Sequence, residues 1–270
     1  MYGIIIAFQD YLPGDPFWGE GTIWVGFDNF IRFMQSEFFW RLIRNTLVLS
    51  ALMLLFGFPA PIIFALMIDQ LRHLRFKKLI QTVSYMPYFI SWVIVVGMVV
   101  AFIDINGLVS NILAEFGVIP RNLRNVPVAF PIIYTVTNIW KGFGFGSILY
   151  VATLSAIDPG LYESAKIDGA NRLHQVWYIS LPGIKHVIMI HLILSIGGLL
   201  SANTEFILLL YTPATYIVAD VLGTYTFRMG ILGGQFSMAA TVGLFSSAIG
   251  FCLVFIANKL SNKVTGFGFW

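Results

Sequence analysis

The sequence predicts an all-α membrane protein, a polytopic helical bundle of about six transmembrane helices. Hydrophobic residues make up 58% of the 270 positions and charged residues only 11%, whereas soluble domains carry roughly 25% charged residues. Five apolar segments approach or exceed the roughly 20 residues needed to cross a bilayer. The net charge of +3 is small and the basic residues are scattered. This composition excludes an ordinary soluble domain and gives no indication of a nucleic-acid partner.

The five segments are separated by polar connections of unequal length. We expect helices over Thr46–Ile68, Tyr88–Ile103, Val128–Leu154, Val187–Tyr211 and Met238–Asn258. Met1–Phe8 is apolar but too short to span, so we expect the end of a first helix whose start precedes this sequence. A short interfacial anchor is the alternative there. Leu108–Phe116 has the pattern of a short amphipathic helix at the outer surface.

Three features inside the spans carry structural expectations. Pro59 and Pro61 predict an irregularity, either a hinge or a packing adjustment, because proline lacks a backbone donor. Gly142 and Gly146 form a small-xxx-small pair that suits close helix contact. Cys252, the single cysteine, lies in an apolar run and is expected to be a small buried hydrophobic residue.

Lysine and arginine placement predicts the orientation, because these residues concentrate on the cytoplasmic side. The denser side has Arg72, Arg75, Lys77, Lys78, Lys166, Arg172, Lys185, Lys259 and Lys263. The sparser side has Arg32, Arg41, Arg44, Arg121, Arg124 and Arg228. We therefore expect a cytoplasmic 155–186 loop and C-terminus, with residues 9–45 as an extracytoplasmic segment.

The 155–186 loop is polar and long for a connection between two spans. Asp158-Pro159 is a good helix start, since aspartate accepts from free N–H groups and proline loses nothing at the first helical position. Gly169 predicts a sharp turn after about Asp168. Asn171 is then expected to cap a second short helix through Tyr178, and Ser180 with Pro182 to restart a third. The pattern predicts a partly apolar knob, which either docks a partner or lies on the membrane surface.

The same loop resembles the EAA motif of permease subunits in binding-protein-dependent ABC importers. The motif residues present are Glu163-Ser164-Ala165, Asp168-Gly169-Ala170 and Ile179-Ser180-Leu181-Pro182. Ser164 replaces the middle alanine of the motif, a small change. Outside the loop, stretches 1–11, 24–30, 81–92 and 220–230 resemble the LplB-like branch of these permeases, which is associated with oligosaccharide and polysaccharide uptake.

The resemblance implies a MetI-like, type I importer permease: a single transmembrane permease domain over residues 1–270 whose 155–186 loop couples to an ATPase. The implied coupling residues are Glu163, Ser164, Ala165, Asp168, Gly169, Ala170, Leu181 and Pro182. It also implies a second, distinct permease, two ATPase subunits that bind ATP and magnesium, and an extracytoplasmic solute-binding protein. The chain has no Walker A sequence, so we expect a transport subunit without catalytic residues, cofactor or metal of its own.

The substrate pathway is harder to predict than the loop. Polar and aromatic residues inside spans are candidates because ionisable groups are costly in the bilayer. The candidates are Asn138, Trp140, Lys141, Asn203 and Glu205. Each has a structural alternative: Trp140 facing lipid, Lys141 paired, Glu205 near the outer interface. Neutral and anionic saccharides both remain open.

A secondary transporter of a small polar solute is the alternative function. Such transporters usually contain inverted repeats with paired broken helices, and no convincing repeat relates the two halves of this sequence. A channel or secondary carrier works alone, whereas an ABC permease depends on its ATPase.

Overall fold

A computed structural model describes residues 2–71, 73–117, 119, 121–266 and 268. Met1 and Arg72, which enter the sequence analysis, lie outside these residues. The described chain is helical apart from connections and one antiparallel bridge between Gln9 and Trp24. The α-helices are α1 Tyr2–Ile6, α2 Asp28–Gln35, α3 Phe39–Leu52, α4 Pro59–Asp69, α5 Leu74–Tyr85, α6 Trp92–Ile103, α7 Leu108–Glu115, α8 Ala129–Gly146, α9 Ile148–Ser155, α10 Pro159–Ile167, α11 Arg172–Gln175, α12 Leu181–Gly183, α13 Lys185–Gly197, α14 Thr204–Leu210, α15 Tyr216–Ala219, α16 Leu222–Phe227 and α17 Phe236–Thr265.

The chain forms two compact units, each assembled from separate stretches of sequence. Unit 1 contains the chain up to Ala51, Trp92–Tyr134 and Gly197–Leu253. Its core includes Phe33, Leu42, Leu200, Leu222, Tyr225 and Val242. Unit 2 contains Leu52–Ser91, Thr135–Ile196 and the chain from Val254. Its core consists of Ile62, Ala65, Tyr150, Leu154 and Ile184.

The first complete span is longer than the sequence predicts. The Thr46–Ile68 segment lies within a helical run over Phe39–Asp69 that is long and apolar enough to cross a membrane. A π-helical turn over Met53–Gly57 joins α3 to α4, and the Phe58 N–H donates to the Met53 carbonyl at 2.8 Å. Pro59 follows as the first residue of α4. The predicted proline irregularity is therefore a π-helical turn, which shifts the hydrogen-bond register instead of ending the helix.

One predicted span is wrong as a continuous helix. Val187–Tyr211 is interrupted, because α13 ends at Gly197 and α14 begins only at Thr204. Val128–Leu154 is helical apart from one turn residue, Ser147, whose N–H donates to the Phe143 carbonyl at 3.2 Å and whose carbonyl accepts from the Val151 N–H at 2.9 Å. Apolar composition is compatible with both a continuous helix and an interrupted one, so hydropathy does not reveal the break after Gly197.

The remaining spans agree better with prediction. Helix α6 begins at Trp92, four residues after the predicted start, and with α7 forms a candidate span over Trp92–Glu115. A candidate span over Phe236–Lys263 contains the predicted Met238–Asn258. The described residues thus contain three candidate spans, and a fourth if the bent pair Arg172–Gly183 and Lys185–Gly197 is one span. The six-helix count stays a prediction.

Two expectations about small residues need correction. Cys252 is exposed, like most of the apolar window of the Phe236–Lys263 span, of which only 11% is buried. An apolar residue was expected in the core, but an apolar surface also suits contact with lipid. Gly142 meets nothing within 4 Å of a built Cβ, whereas Gly146 faces Pro61. On α8 the closest approach is at Gly144, where a Cβ would overlap the carbonyl of Ser84.

Candidate functional site

The 155–186 loop begins with the helix that the sequence predicts. Helix α10 runs over Pro159–Ile167, and the Asp158 side chain accepts from the Gly160 N–H at 2.8 Å. The aspartate satisfies one of the amide groups left free at the helix start, and Pro159 occupies the first helical position. The predicted cap and the predicted end near Asp168 are both confirmed.

The turn after α10 is a Schellman motif, in which two backbone hydrogen bonds close the end of a helix. The Ala170 N–H donates to the Ala165 carbonyl at 2.8 Å, and the Gly169 N–H donates to the Lys166 carbonyl at 3.1 Å. Gly169 has φ +79°, a left-handed conformation that glycine adopts without steric cost. The predicted glycine turn is therefore confirmed.

The second helix of the loop is longer than predicted. The Asn171 side chain accepts from the His174 N–H at 2.9 Å and caps α11, as expected. The chain then continues through a π-helical turn over Val176–Ser180 into α12 without a break. Leu181 and Pro182 therefore lie at the end of this helix, and the predicted restart at Ser180 is wrong. The break comes after Gly183, where the axis bends by 62° into α13.

Two side-chain hydrogen bonds hold the two arms of the loop together. The Tyr162 hydroxyl and the buried Ser180 hydroxyl are 3.0 Å apart. The Gln175 amide donates to the Ala170 carbonyl at 3.2 Å. Burial, and to a smaller degree the Asp69 carboxylate, raises the pKa of Tyr162 despite the Ser180 contact. The Tyr162–Ser180 contact thus links the first arm of the loop to the second.

The outer surface of the loop is apolar and exposed. The large hydrophobic side chains on it are Leu161, Ile167, Leu173, Trp177 and Tyr178, and Ile167 is 87% exposed. Glu163 is also exposed. A cavity of about 360 Å³ is lined by residues of the motif, including Ala165, Gly169 and Ala170. A polar loop that displays this much apolar surface is typical of an interaction site.

A second cavity, of about 590 Å³, lies where the loop meets the end of α4. Asp69 and Gln70 line it from α4 and its C-terminal cap, and Tyr162, Lys166 and Arg172 line it from the loop. The Asp69 carboxylate is 3.8 Å from the Lys77 ammonium. The loop is therefore seated at the Asp69 end of the Phe39–Asp69 span.

The pathway candidates on α8 belong to unit 2. Lys141 is buried, and its Nζ donates to the Tyr88 carbonyl at 2.6 Å and lies 5.2 Å from the Tyr88 ring. That ring stacks on Phe145 at 4.0 Å. Trp140 is 40% exposed, and Asn138 is half-buried. The Lys141 contacts favour the paired alternative, and a pathway role for the three residues stays a prediction.

The pathway candidates near α14 belong to unit 1. The Asn203 side chain caps α14 by accepting from the Phe206 N–H at 3.2 Å, and the Asn203 N–H donates to the Tyr134 hydroxyl at 2.9 Å. Glu205 is exposed in the first turn of α14, where a negative charge is favourable. Asn203 thus has a structural task, and its role in the pathway stays a prediction, as does that of Glu205.

Sequence reasoning missed a charged cluster in unit 1. Asp220 is fully buried, and its carboxylate accepts from Arg41 and Arg228, with an Nη2–Oδ2 distance of 3.0 Å in each pair. Arg44 is adjacent through Asn45, whose amide donates to the Asp220 carbonyl at 2.9 Å. We call Arg41, Arg44, Arg228 and Asp220 the arginine cluster. Its residues are up to 187 positions apart (228 minus 41), so only the nearby Asp220 and Arg228 could have suggested it.

The loop geometry and the helical fold agree with one protein class, the membrane subunit of a binding-protein-dependent importer. The family model "Binding-protein-dependent transport system inner membrane component" matches residues 57–266. The chain belongs to this family of transport permeases.

Curated relatives cover nearly the whole chain. The Bacillus subtilis "Polygalacturonan/rhamnogalacturonan transport system permease protein YteP" is 43% identical over 97% of this chain and 82% of its own length. "Protein LplB" of the same organism is 39% identical over the same shares. The B. subtilis arabinooligosaccharide permease AraP is 25% identical over 98% of this chain and 82% of its own length.

Solved structures share the fold at similar identity. A bacterial ABC transporter involved in the import of the acidic polysaccharide alginate contains a chain with a TM-score of 0.87 and 42% identity, covering 97% of this chain and 88% of its own. A bacterial alginate ABC transporter in complex with alginate pentasaccharide-bound periplasmic protein contains a chain with a TM-score of 0.85 and 43% identity, covering 90% of this chain and 85% of its own. The MetI-like permease fold expected from the resemblance is confirmed.

Proposed function

We propose that this chain is one of two permease subunits of an ATP-driven importer for acidic oligosaccharides or polysaccharide fragments. The single observation that carries this proposal is the capped, exposed loop over Pro159–Gly183, which stands inside the region matched by the family. An ATPase subunit docks on that loop, and closure of two such subunits around ATP and magnesium switches the pathway between its two sides. The chain itself performs no chemistry.

Residues of the loop have two different roles, one structural and one in contact with the ATPase. Ala165, Gly169 and Ala170 form the Schellman turn and hold the two arms at a fixed angle. Glu163 supplies a charged contact and, with Ser164 and Asp168, is exposed on the same arm. A rigid connection transmits a displacement better than a flexible one, since interfaces change between discrete packings. Leu181 and Pro182 carry the motion towards α13.

The orientation of the chain in the membrane follows from the docking of the ATPase on the loop. The loop and the C-terminus lie in the cytoplasm, and residues 9–45 lie outside the bacterial inner membrane, where a solute-binding protein delivers the substrate. A distinct second permease completes the pathway. Support comes from the lysine and arginine distribution, from membership in a family of binding-protein-dependent inner membrane components, and from the related alginate transporter, which forms a complex with a periplasmic protein.

The substrate class rests on the relatives at about 40% identity and on those at about 25%. The relatives at about 40% identity include one named for polygalacturonan and rhamnogalacturonan and one for alginate, which are polymers rich in carboxylate-bearing sugars. The arabinooligosaccharide permeases, whose substrates are neutral, are 25% and 28% identical. Closer similarity to the first group favours an acidic saccharide.

Substrate-stimulated ATP hydrolysis by the reconstituted assembly tests this function. The assembly contains this chain, its partner permease, the ATPase pair and the binding protein, and the substrates are uronate and neutral oligosaccharides. We expect hydrolysis to rise only with loaded binding protein, and Glu163→Arg to uncouple hydrolysis from uptake while the protein still folds. Normal transport by Glu163→Arg would refute the coupling role, and solute movement without any ATPase would favour a secondary transporter.

A further inference from the structure

The arginine cluster in unit 1 has three guanidinium groups and one carboxylate. Asp220 receives four hydrogen bonds: one from Arg41, two from Arg228 at 3.0 and 3.1 Å, and one from the Thr224 hydroxyl at 2.8 Å. A single negative charge cancels only one of the three positive charges. The carboxylate is fully used, so it has no capacity left to neutralise the others.

Arg44 is held in place by neutral groups alone. Its Nε and Nη2 donate to the Asn45 side-chain oxygen at 3.2 and 2.9 Å, and Nη2 also donates to the Ile217 carbonyl. No described carboxylate lies within 4.0 Å of Arg44. Amide and carbonyl oxygens fix the position of a guanidinium without cancelling its charge. The cluster therefore presents an excess of two positive charges, and Arg44 is exposed.

The guanidinium groups are also positioned by aromatic rings. Arg41 lies 5.0 Å from the centre of the Phe38 ring, and Arg228 lies 5.8 Å from the rings of Tyr216 and Tyr225. Stacking of this kind restricts the side-chain rotamers before any ligand arrives. The arginine side chains are therefore preorganised, which lowers the entropic cost of binding an anion.

One donor in the cluster lacks an acceptor. The Arg41 Nε is buried and has no hydrogen-bond partner among the described residues, although the side chain as a whole is 33% exposed. A buried unpaired donor is rare in proteins and calls for an explanation. The existing carboxylate thus leaves the hydrogen bonding of Arg41 incomplete.

Two members of the arginine cluster lie in the segment proposed above to be outside the membrane. Arg41 and Arg44 fall within residues 9–45, on the side where lysine and arginine are sparser. In that orientation the cluster lies on the outer side, where substrate is delivered.

We propose that the arginine cluster is a binding site for the carboxylate of a uronate residue in the incoming oligosaccharide. Arg44, with the exposed edge of Arg41, binds the carboxylate, and Arg228 with Asp220 holds both in position. This inference rests on the proposed function, since it assigns the substrate's charge to named residues. The bond is the charge-assisted guanidinium–carboxylate pair, which is stronger than a neutral hydrogen bond.

Uptake of trigalacturonate by the complete reconstituted assembly tests the site. Arg44→Gln should lower the initial uptake rate at sub-saturating substrate about tenfold, the usual size of one lost charge-assisted contact, and Arg44→Lys should restore part of it. The matched control is Arg32→Gln, because Arg32 is an exposed arginine of unit 1 that already pairs with Asp28 at 2.7 Å. Uptake by the control should equal that of the unmodified assembly. The difference between Arg44→Gln and the control should shrink at high salt, where charge attraction is screened.

Three results would overturn the inference. Equal uptake by Arg44→Gln and Arg32→Gln, while the unmodified assembly transports trigalacturonate, would show that the arginine cluster does not bind the substrate. The proposed function would be unaffected. Weaker binding of substrate-free binding protein to the Arg44→Gln assembly would make the cluster a docking site for that protein instead. Failure of the unmodified assembly to transport any uronate oligosaccharide would contradict the proposed function itself.

Discussion

The 155–186 loop of unit 2 and the arginine cluster of unit 1 are built in opposite ways. In the loop, every capping bond connects residues at most five positions apart, as in Asp158 to Gly160 or Ala170 to Ala165. In the cluster, Arg41 reaches Asp220 across 179 positions. The first is an assembly of local backbone geometry, and the second exists only after distant helices have packed.

This difference indicates which parts of a permease can be altered without changing how the rest of the chain folds. A local motif keeps its geometry as long as its own caps remain, so its substitutions should change coupling more than folding. A long-range cluster contributes to the packing that creates it, so its substitutions should change folding and binding together. The four predictions below test this distinction, from the largest expected effect to the smallest.

Asp220→Asn should cause the largest loss of stability. It would leave Arg41 and Arg228 facing a neutral group in a fully buried position, and breaking a buried pair costs about 3 kcal/mol or more. The measurement is chemical unfolding of the detergent-purified complex. Asp28→Asn is the control, because its pair with Arg32 is exposed on both sides and is worth at most about 1 kcal/mol. Equal losses for both variants would show that the cluster is not a packed unit.

Gly144→Ala should destabilise unit 2 by about 2 kcal/mol, the range for overpacking a tight contact. A Cβ at this position would overlap the Ser84 carbonyl, whereas Gly142 has nothing within 4 Å. Thermal unfolding of Gly144→Ala and of the control Gly142→Ala is compared. Both changes add the same methyl group to α8, so the difference in stability measures the contact with Ser84. If Gly142→Ala were the more damaging change, the packing of α8 would differ from the structure.

Lys141→Met should lower stability by about 1.5 kcal/mol, because it leaves the Tyr88 carbonyl without its ammonium donor. Thermal unfolding and oligosaccharide uptake are measured on the same preparation. Lower stability with unchanged substrate preference would assign Lys141 to packing. Altered preference at unchanged stability would instead support the sequence-based prediction that Lys141 lies in the substrate pathway.

Gly169→Ala should cost only about 1 kcal/mol of stability, the penalty for a side chain in the left-handed region, yet reduce uptake per ATP hydrolysed. Gly169→Asn is the matched variant, since asparagine tolerates this conformation better than alanine. We expect the asparagine variant to couple better than the alanine variant. Better coupling by the alanine variant would show that coupling does not depend on the left-handed geometry of the turn.

Sequence predicted the local structure well and the long-range structure poorly. The Asp158 cap, the Gly169 turn and the Asn171 cap are confirmed because each depends on two to five neighbouring residues. The break between Gly197 and Thr204 was missed, since apolar composition does not distinguish a continuous helix from an interrupted one. The arginine cluster could not be predicted, because nothing near Arg41 indicates that Asp220 will be its partner.

Photo-crosslinking from the loop tests the central claim most directly. A photoreactive phenylalanine analogue replaces Ile167, the most exposed large hydrophobic residue of the loop, and in a control replaces Phe251, which is 71% exposed on α17. If the loop is the docking site, illumination of the assembly will join position 167 to the ATPase subunit, and position 251 will give no such product. Crosslinks from position 167 to lipid alone, in an assembly that hydrolyses ATP, would contradict the account.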